Sequence, residues 1–270
     1  RARAGRAAVT QQQPLLDLPP VPPEAALRPL FRFPGGKRWL IPFVRAGIRL
    51  RLSARDGARL VEPFLGGGAV ALHVGWPATV ACDLSPDLID CYRAVARDPD
   101  GVAEALGALV AATPEDDLDR RARGRGRELP GPAYYEARDR YNAAANGSTR
   151  GTAGRAALFL YLASRSFNGI LRVNSRGEFN VPVSDNRTPN YPTREALRAF
   201  AGVTRSWDLR CADFEETING AGLGCTVFAD PPYSGTFGAY TSGGFTDADQ
   251  VRLADALALA RARGAAVLHT

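Results

Sequence analysis

The chain has 270 residues, of which 45% are hydrophobic and 23% charged, and a formal net charge of +6. That composition supplies a real core and excludes a disordered or fibrous chain, while no apolar run approaches the length of a bilayer span. The basic balance permits a polyanionic partner without demanding one.

Residues 1–28 read as a disordered leader without the apolar stretch of a signal peptide. The chain starts at Arg1 and contains no Met, which points to trimming. Cys82, Cys91, Cys211 and Cys225 form no CxxC pair and no His/Cys metal spacing. Free thiols in a reducing compartment, with no bound metal, are therefore expected. Lys37 is the only lysine among 34 basic residues. In a chain that exchanges Lys for Arg elsewhere, a retained compact ammonium suggests a specific use. It sits in FRFPGGKRWL (31–40), where an aromatic, two glycines and a cation could cradle an amino acid-like group or a phosphate; a turn before a helix is the other reading.

From about 58 the pattern is that of an α/β sheet. ARLVEPF (58–64) predicts a strand, AVALHVG (69–75) a helix and ATVACD (78–83) a second buried strand. A helix follows with Ser85 as its N-cap and Pro86 at its first position. Strand, glycine turn, helix and strand ending in Asp make a βαβ unit of a doubly wound sheet. In VEPFLGGGAVAL (61–72) the glycines would let a ligand approach the backbone at a helix start, and Asp83 could accept both hydroxyls of a ribose. This pair favours an adenosine-containing cofactor and leaves open whether it is a nicotinamide dinucleotide or S-adenosylmethionine.

The character changes between about 98 and 155, and 114–132 reads as a mobile loop. Helices are predicted over 154–166 and 193–203, and FNGILRVNSRGEFNVP (167–182) as a loop and hairpin turning at Asn174 and Gly177. Arg and Asn are side chains that read base edges and phosphates, and an aromatic loop tip can wedge into a base stack. A polar hairpin packed on the sheet is the plainer alternative. CTVFAD (225–230) returns as a buried strand, 246–264 is a capped helix, and AAVLHT is a last strand where such a sheet normally has one or two more.

Asp230, Pro231, Pro232 and Tyr233 stand at the carboxyl end of that buried strand, where open sheets bind ligands. The lone pair of an amine on a heteroaromatic ring is delocalised. Asp230 and a carbonyl of the proline pair can hold both N–H bonds and aim the lone pair at a methyl donor. The prolines stiffen the turn, and Tyr233 offers a stacking face.

Taken in order, these segments resemble the Dam-like (D12 class, α group) DNA adenine-N6 methyltransferases over residues 31–270. The resemblance implies a Rossmann-like α/β methyltransferase sheet using S-adenosylmethionine, with a helical and hairpin target-recognition insert over 98–204 between catalytic residues 29–97 and 205–270. It implies a cofactor site of Phe33, Gly35, Gly36, Lys37, Glu62, Pro63, Phe64, Gly66, Gly68, Asp83, Asp213 and Asp230. Double-stranded DNA would meet Arg32, Phe167, Asn168, Arg172, Asn174 and Pro182, with Phe167 as the wedge. Cytoplasmic action in a prokaryote or phage is implied, in restriction–modification or another role. The family usually has Gly where Ser184 stands and Ser-Asn at the end of the strand that AAVLHT forms, which AAVLHT lacks. Alternatives are an amino-methyltransferase of cytosine N4, an RNA base or a protein glutamine, a non-catalytic DNA-binding relative, and a nicotinamide oxidoreductase, which has no use for Asp-Pro-Pro-Tyr.

Overall fold

The computed structural model describes residues 28–33, 41–114, 131–144, 149–184, 189–232 and 244–270. The leader, the PGGK glycines with Lys37, most of the 114–132 loop and Tyr233 lie outside the described residues.

Five parallel strands form one sheet: β1 (Arg59–Glu62), β2 (Thr79–Asp83), β3 (Asp208–Cys211), β4 (Cys225–Ala229) and β5 (Ala266–His269), in the order β3-β2-β1-β4-β5. The chain works outward from β1 through β2 to β3, then returns to the other side of β1. The direction of winding therefore reverses between β1 and β4, where such sheets open a ligand crevice. Register places Val61 opposite both Val80 and Val227.

Strand side chains alternate between two apolar layers because the strand period is two residues. Leu60, Ala81, Leu209 and Phe228 face one layer, whereas Val61, Val80, Val227 and Ala229 face the other. The first layer is covered by α1 (Ile41–Ser53), α2 (Ala69–Val74), α3 (Pro86–Arg97), α4 (Pro99–Ala111), α5 (Pro132–Ala143), α6 (Ala153–Arg165) and α7 (Arg194–Thr204). The second is covered by α8 (Phe214–Asn219) and α9 (Asp247–Ala262). Helices from the stretch between β2 and β3 thus share a core with the sheet itself.

Local chemistry sets the helix starts. Ser85 accepts the Leu88 N–H at 3.4 Å with Pro86 in the first turn, as the sequence predicts. Thr246 and Asp249 close a reciprocal capping box at α9. The expected strands and helices form within a residue or two of their predicted limits, while α1, α4, α5, β3 and α8 arise where no element was specified.

A candidate active site at the carboxyl ends of the strands

The loop from β1 to α2 is held from several sides. Leu65 N–H donates to the Cys82 carbonyl at 2.7 Å, and Gly66 N–H donates to Asp83 Oδ2 at 2.9 Å. The buried Tyr92 hydroxyl donates to the Gly66 carbonyl at 2.9 Å. Gly66 and Gly68 adopt φ of 48° and 67°, a region open to glycine at little cost, and Gly68 starts α2. Phe33 lies across this loop. A Cβ at Gly66 would sit 2.9 Å from its ring and one at Gly67 2.9 Å from its Cβ. The glycines therefore make room for Phe33, which is itself anchored by buried Phe31 packed on Tyr92 and Phe159.

Three adjacent strands end in carboxylates. Glu62 ends β1, is buried, and accepts the Ala71 N–H at 2.9 Å, capping α2 where Gly68 offers no side chain. Burial, with Asp230 and Asp83 nearby, pushes its carboxyl well above the usual range against the pull of that N–H. Asp83 ends β2, and its oxygens accept from Gly66 and Ser85, each at 2.9 Å. Burial raises it too, opposed by those N–H bonds. The Leu84 N–H opposes the shift as well, and three N–H groups on four lone-pair sites leave one for a ligand hydroxyl. Asp230 follows β4, and the Thr270 hydroxyl donates to its Oδ1 at 2.7 Å from the end of β5. Pro231 is buried and Pro232 exposed.

Buried Pro63 leads into half-buried Phe64, whose ring stacks on Phe214 at 5.3 Å and meets Phe245 edge-on at 5.7 Å. Asp213 caps α8 through the Glu215 N–H at 2.9 Å and pairs with Arg252 at 2.9 Å. Both uses are structural, and they place the residue beside that aromatic cluster.

The 167–182 segment forms a 3₁₀ turn over Phe167–Gly169 and a short hairpin pairing Val173 with Phe179. Phe167 is 46% exposed, and Asn168 holds a left-handed φ of 55°. Arg172 and Pro182 are exposed, and Arg172 Nε donates to Asn180 Oδ1 at 2.9 Å. Asn174 Oδ1 accepts the Arg176 and Glu178 N–H groups at 2.9 and 3.0 Å, so this residue builds the turn. The exposed Arg32 is brought to the same place: a Cβ on Gly169 would lie 2.6 Å from the Arg32 carbonyl oxygen. Consecutive residues 32 and 33 thus touch the Phe167–Gly169 turn and the glycine loop.

Residues 33–269 match the family model of the D12 class N6 adenine-specific DNA methyltransferases. The chain belongs to this family. It is 34% identical over 213 residues to the "Retron Ec67 DNA adenine methylase" of Escherichia coli, covering 78% of this chain and 68% of that protein. Against the "DNA adenine methylase" of Haemophilus influenzae it is 32% identical, covering 86% and 75%. The "Type II methyltransferase M.MjaIII" of Methanocaldococcus jannaschii is 29% identical, with 84% and 78% covered. As a D12 class enzyme the chain methylates adenine N6 in DNA, and its five-stranded parallel sheet is consistent with the Rossmann-like methyltransferase fold.

Several residues of this candidate site carry no sequence signal of their own. Phe31, Tyr92 and Thr270 work through partners distant in sequence, and only the fold brings them there. Among the described residues no group of three His, Cys, Asp or Glu side chains could hold a metal ion, and no helix is long and apolar enough to cross a membrane.

Proposed function

We propose that the enzyme transfers the methyl of S-adenosylmethionine to an adenine flipped out of double-stranded DNA, with Asp230 beside the reacting amine. The reading rests on one observation: Asp230 leaves the carboxyl end of β4 beside β1, with Thr270 holding one of its oxygens. Carboxylates ending β1, β2 and β4 suit a cation bearing hydroxyls, and Asp83 retains a lone pair for a ribose hydroxyl. Once bound, the cofactor supplies an electrophilic methyl on a positively charged sulfonium.

The rest belongs to the chain. Glu62, Pro63, Phe64, Gly66, Gly68 and Asp83 form the strand-end cradle, with Phe33 as its rim and Asp213 near its aromatic side. Gly35, Gly36 and Lys37 complete it by family resemblance. Asp230 and the adjoining proline carbonyl accept the two amine N–H groups, drawing the nitrogen lone pair out of ring conjugation, and Tyr233 stacks on the purine. Arg32, Phe167, Asn168, Arg172 and Pro182 meet the duplex, with Phe167 filling the gap left by the flipped base. Asn174 serves through the turn it builds. Residues 29–97 and 205–270 act as the catalytic part and 98–204 as the recognition part. Its prokaryotic relatives support action in a prokaryotic or phage-infected cytoplasm.

Asp230→Ala is expected to lower kcat by about 10²-fold or more while leaving S-adenosylhomocysteine binding intact. Near-normal methylation by that variant would overturn the assignment. Methylome sequencing of treated DNA reads out the modified base directly.

A further inference from the structure

Among the described residues the 167–182 hairpin has two arms, and an isolated two-stranded hairpin is marginal in water. Alternate residues of an extended arm present their N–H and C=O groups to opposite edges. In the second arm, Glu178 and Asn180 bond toward the first arm: Asn174 N–H donates to the Glu178 carbonyl at 2.9 Å, and Asn180 N–H donates to the Arg172 carbonyl at 3.1 Å. Phe179 and Val181 present their groups to the far edge, where a third strand would stand. That edge is met instead by helix α5. Asn142 Oδ1 accepts the Phe179 N–H at 2.9 Å and its Nδ2 donates to the Phe179 carbonyl at 3.0 Å, as an opposing peptide would. Eight residues earlier on α5, the buried Tyr134 hydroxyl donates to the Val181 carbonyl at 3.0 Å. Phe179 and Val181 are buried, so these groups have little access to water as a substitute.

We propose that Asn142 and Tyr134 are positioning residues that set target-sequence discrimination by standing in for the missing third strand of the recognition hairpin. Neither lies in the 167–182 motif, and the inference rests on that motif meeting DNA. A hairpin fixed on both edges presents Arg172 and its neighbours in one pose. Such a pose penalises a wrong base, whereas a loosened one adapts to it.

The test uses the whole enzyme with Asn142→Ala and, separately, Tyr134→Phe, which removes a single hydroxyl and keeps the ring. Three quantities are read: hydrogen exchange of the Phe179 amide, S-adenosylhomocysteine affinity, and the ratio of kcat/KM on the preferred site to that on single-base variants of it. The expected result for Asn142→Ala is Phe179 exchange at least tenfold faster and a discrimination ratio reduced at least fivefold, with cofactor-product affinity within twofold. Tyr134→Phe is expected to lower the ratio in the same direction and carries the test alone if Asn142→Ala does not fold. An unchanged ratio in active variants overturns the proposal. So does a ratio that falls only together with S-adenosylhomocysteine affinity, because the clamp would then support the whole fold. Failure of the underlying functional reading appears separately, as no DNA methylation by the unaltered enzyme.

Discussion

Phe33 and the glycine loop show how one side chain decides what its neighbours can be. Gly66→Ala meets two penalties: a left-handed φ of 48°, which costs an L-residue roughly 1–2 kcal/mol, and a Cβ 2.9 Å from the Phe33 ring. Phe33→Ala removes only the second. The double variant is therefore expected to be more stable than the sum of the single losses predicts, by about 0.5–3 kcal/mol in urea denaturation. Gly67→Ala is the internal control, because it meets the Cβ of residue 33, which alanine retains. Strict additivity for Gly66 would mean that the ring moves away freely and does not define the cofactor rim.

Between elements, the buried guanidinium of Arg155 on α6 ties three helices together. It pairs with Asp87 on α3 at 3.1 Å, donates to the Tyr141 carbonyl of α5 at 2.8 Å, and lies 4.0 Å over the Tyr141 ring. Asp87→Asn removes the counter-charge of a side chain only 5% exposed. A loss of about 3 kcal/mol is expected, against under about 1 kcal/mol for Asp90→Asn, whose partner Arg150 is solvent-exposed. Equal losses in chemical denaturation would sink the argument. This scale is also where reading the sequence succeeded unevenly. Runs such as CTVFA, buried on both faces, announce themselves, as do caps such as Ser85-Pro86. Helix α5, PAYYEARDRYNA, presents no apolar stripe because Tyr134 and Asn142 spend polar tips on the hairpin. Strand β3, with exposed ends and the sequence DLRC, has too few residues to show a period. Asp230 and Asp83 were readable because local motifs carry them. Asn142 was not, because its partner Phe179 is specified only by tertiary packing.

For the molecule as a whole, Glu62 and Asp83, ending two neighbouring strands, impose a pH dependence. Burial raises Glu62 above its unfolded value, near 4.3, so the folded state holds this proton more tightly. That contribution to stability is complete below the unfolded value and is lost as pH rises through the folded one. Glu62→Gln keeps an acceptor for the Ala71 N–H and removes the titration. The Tm of the unaltered enzyme relative to this variant is therefore expected to fall between pH 4.5 and neutrality. Asp83 shifts in the same direction, so the dependence is reduced and not abolished. Parallel Tm curves would exclude Glu62 as the source.

The strand order also dictates when the enzyme can complete itself during synthesis. β1 is central, yet the neighbour on one side of it, β4, begins only at Cys225, long after β2 has ended at Asp83. A nascent chain that has made β1, β2 and their helices carries an unpaired, apolar strand edge until the segment from Cys225 has left the ribosome. Edges of that kind recruit other chains. Premature termination before β4 would therefore leave an aggregation-prone fragment lacking Asp230, because one segment both pairs with the open edge of β1 and carries that acid.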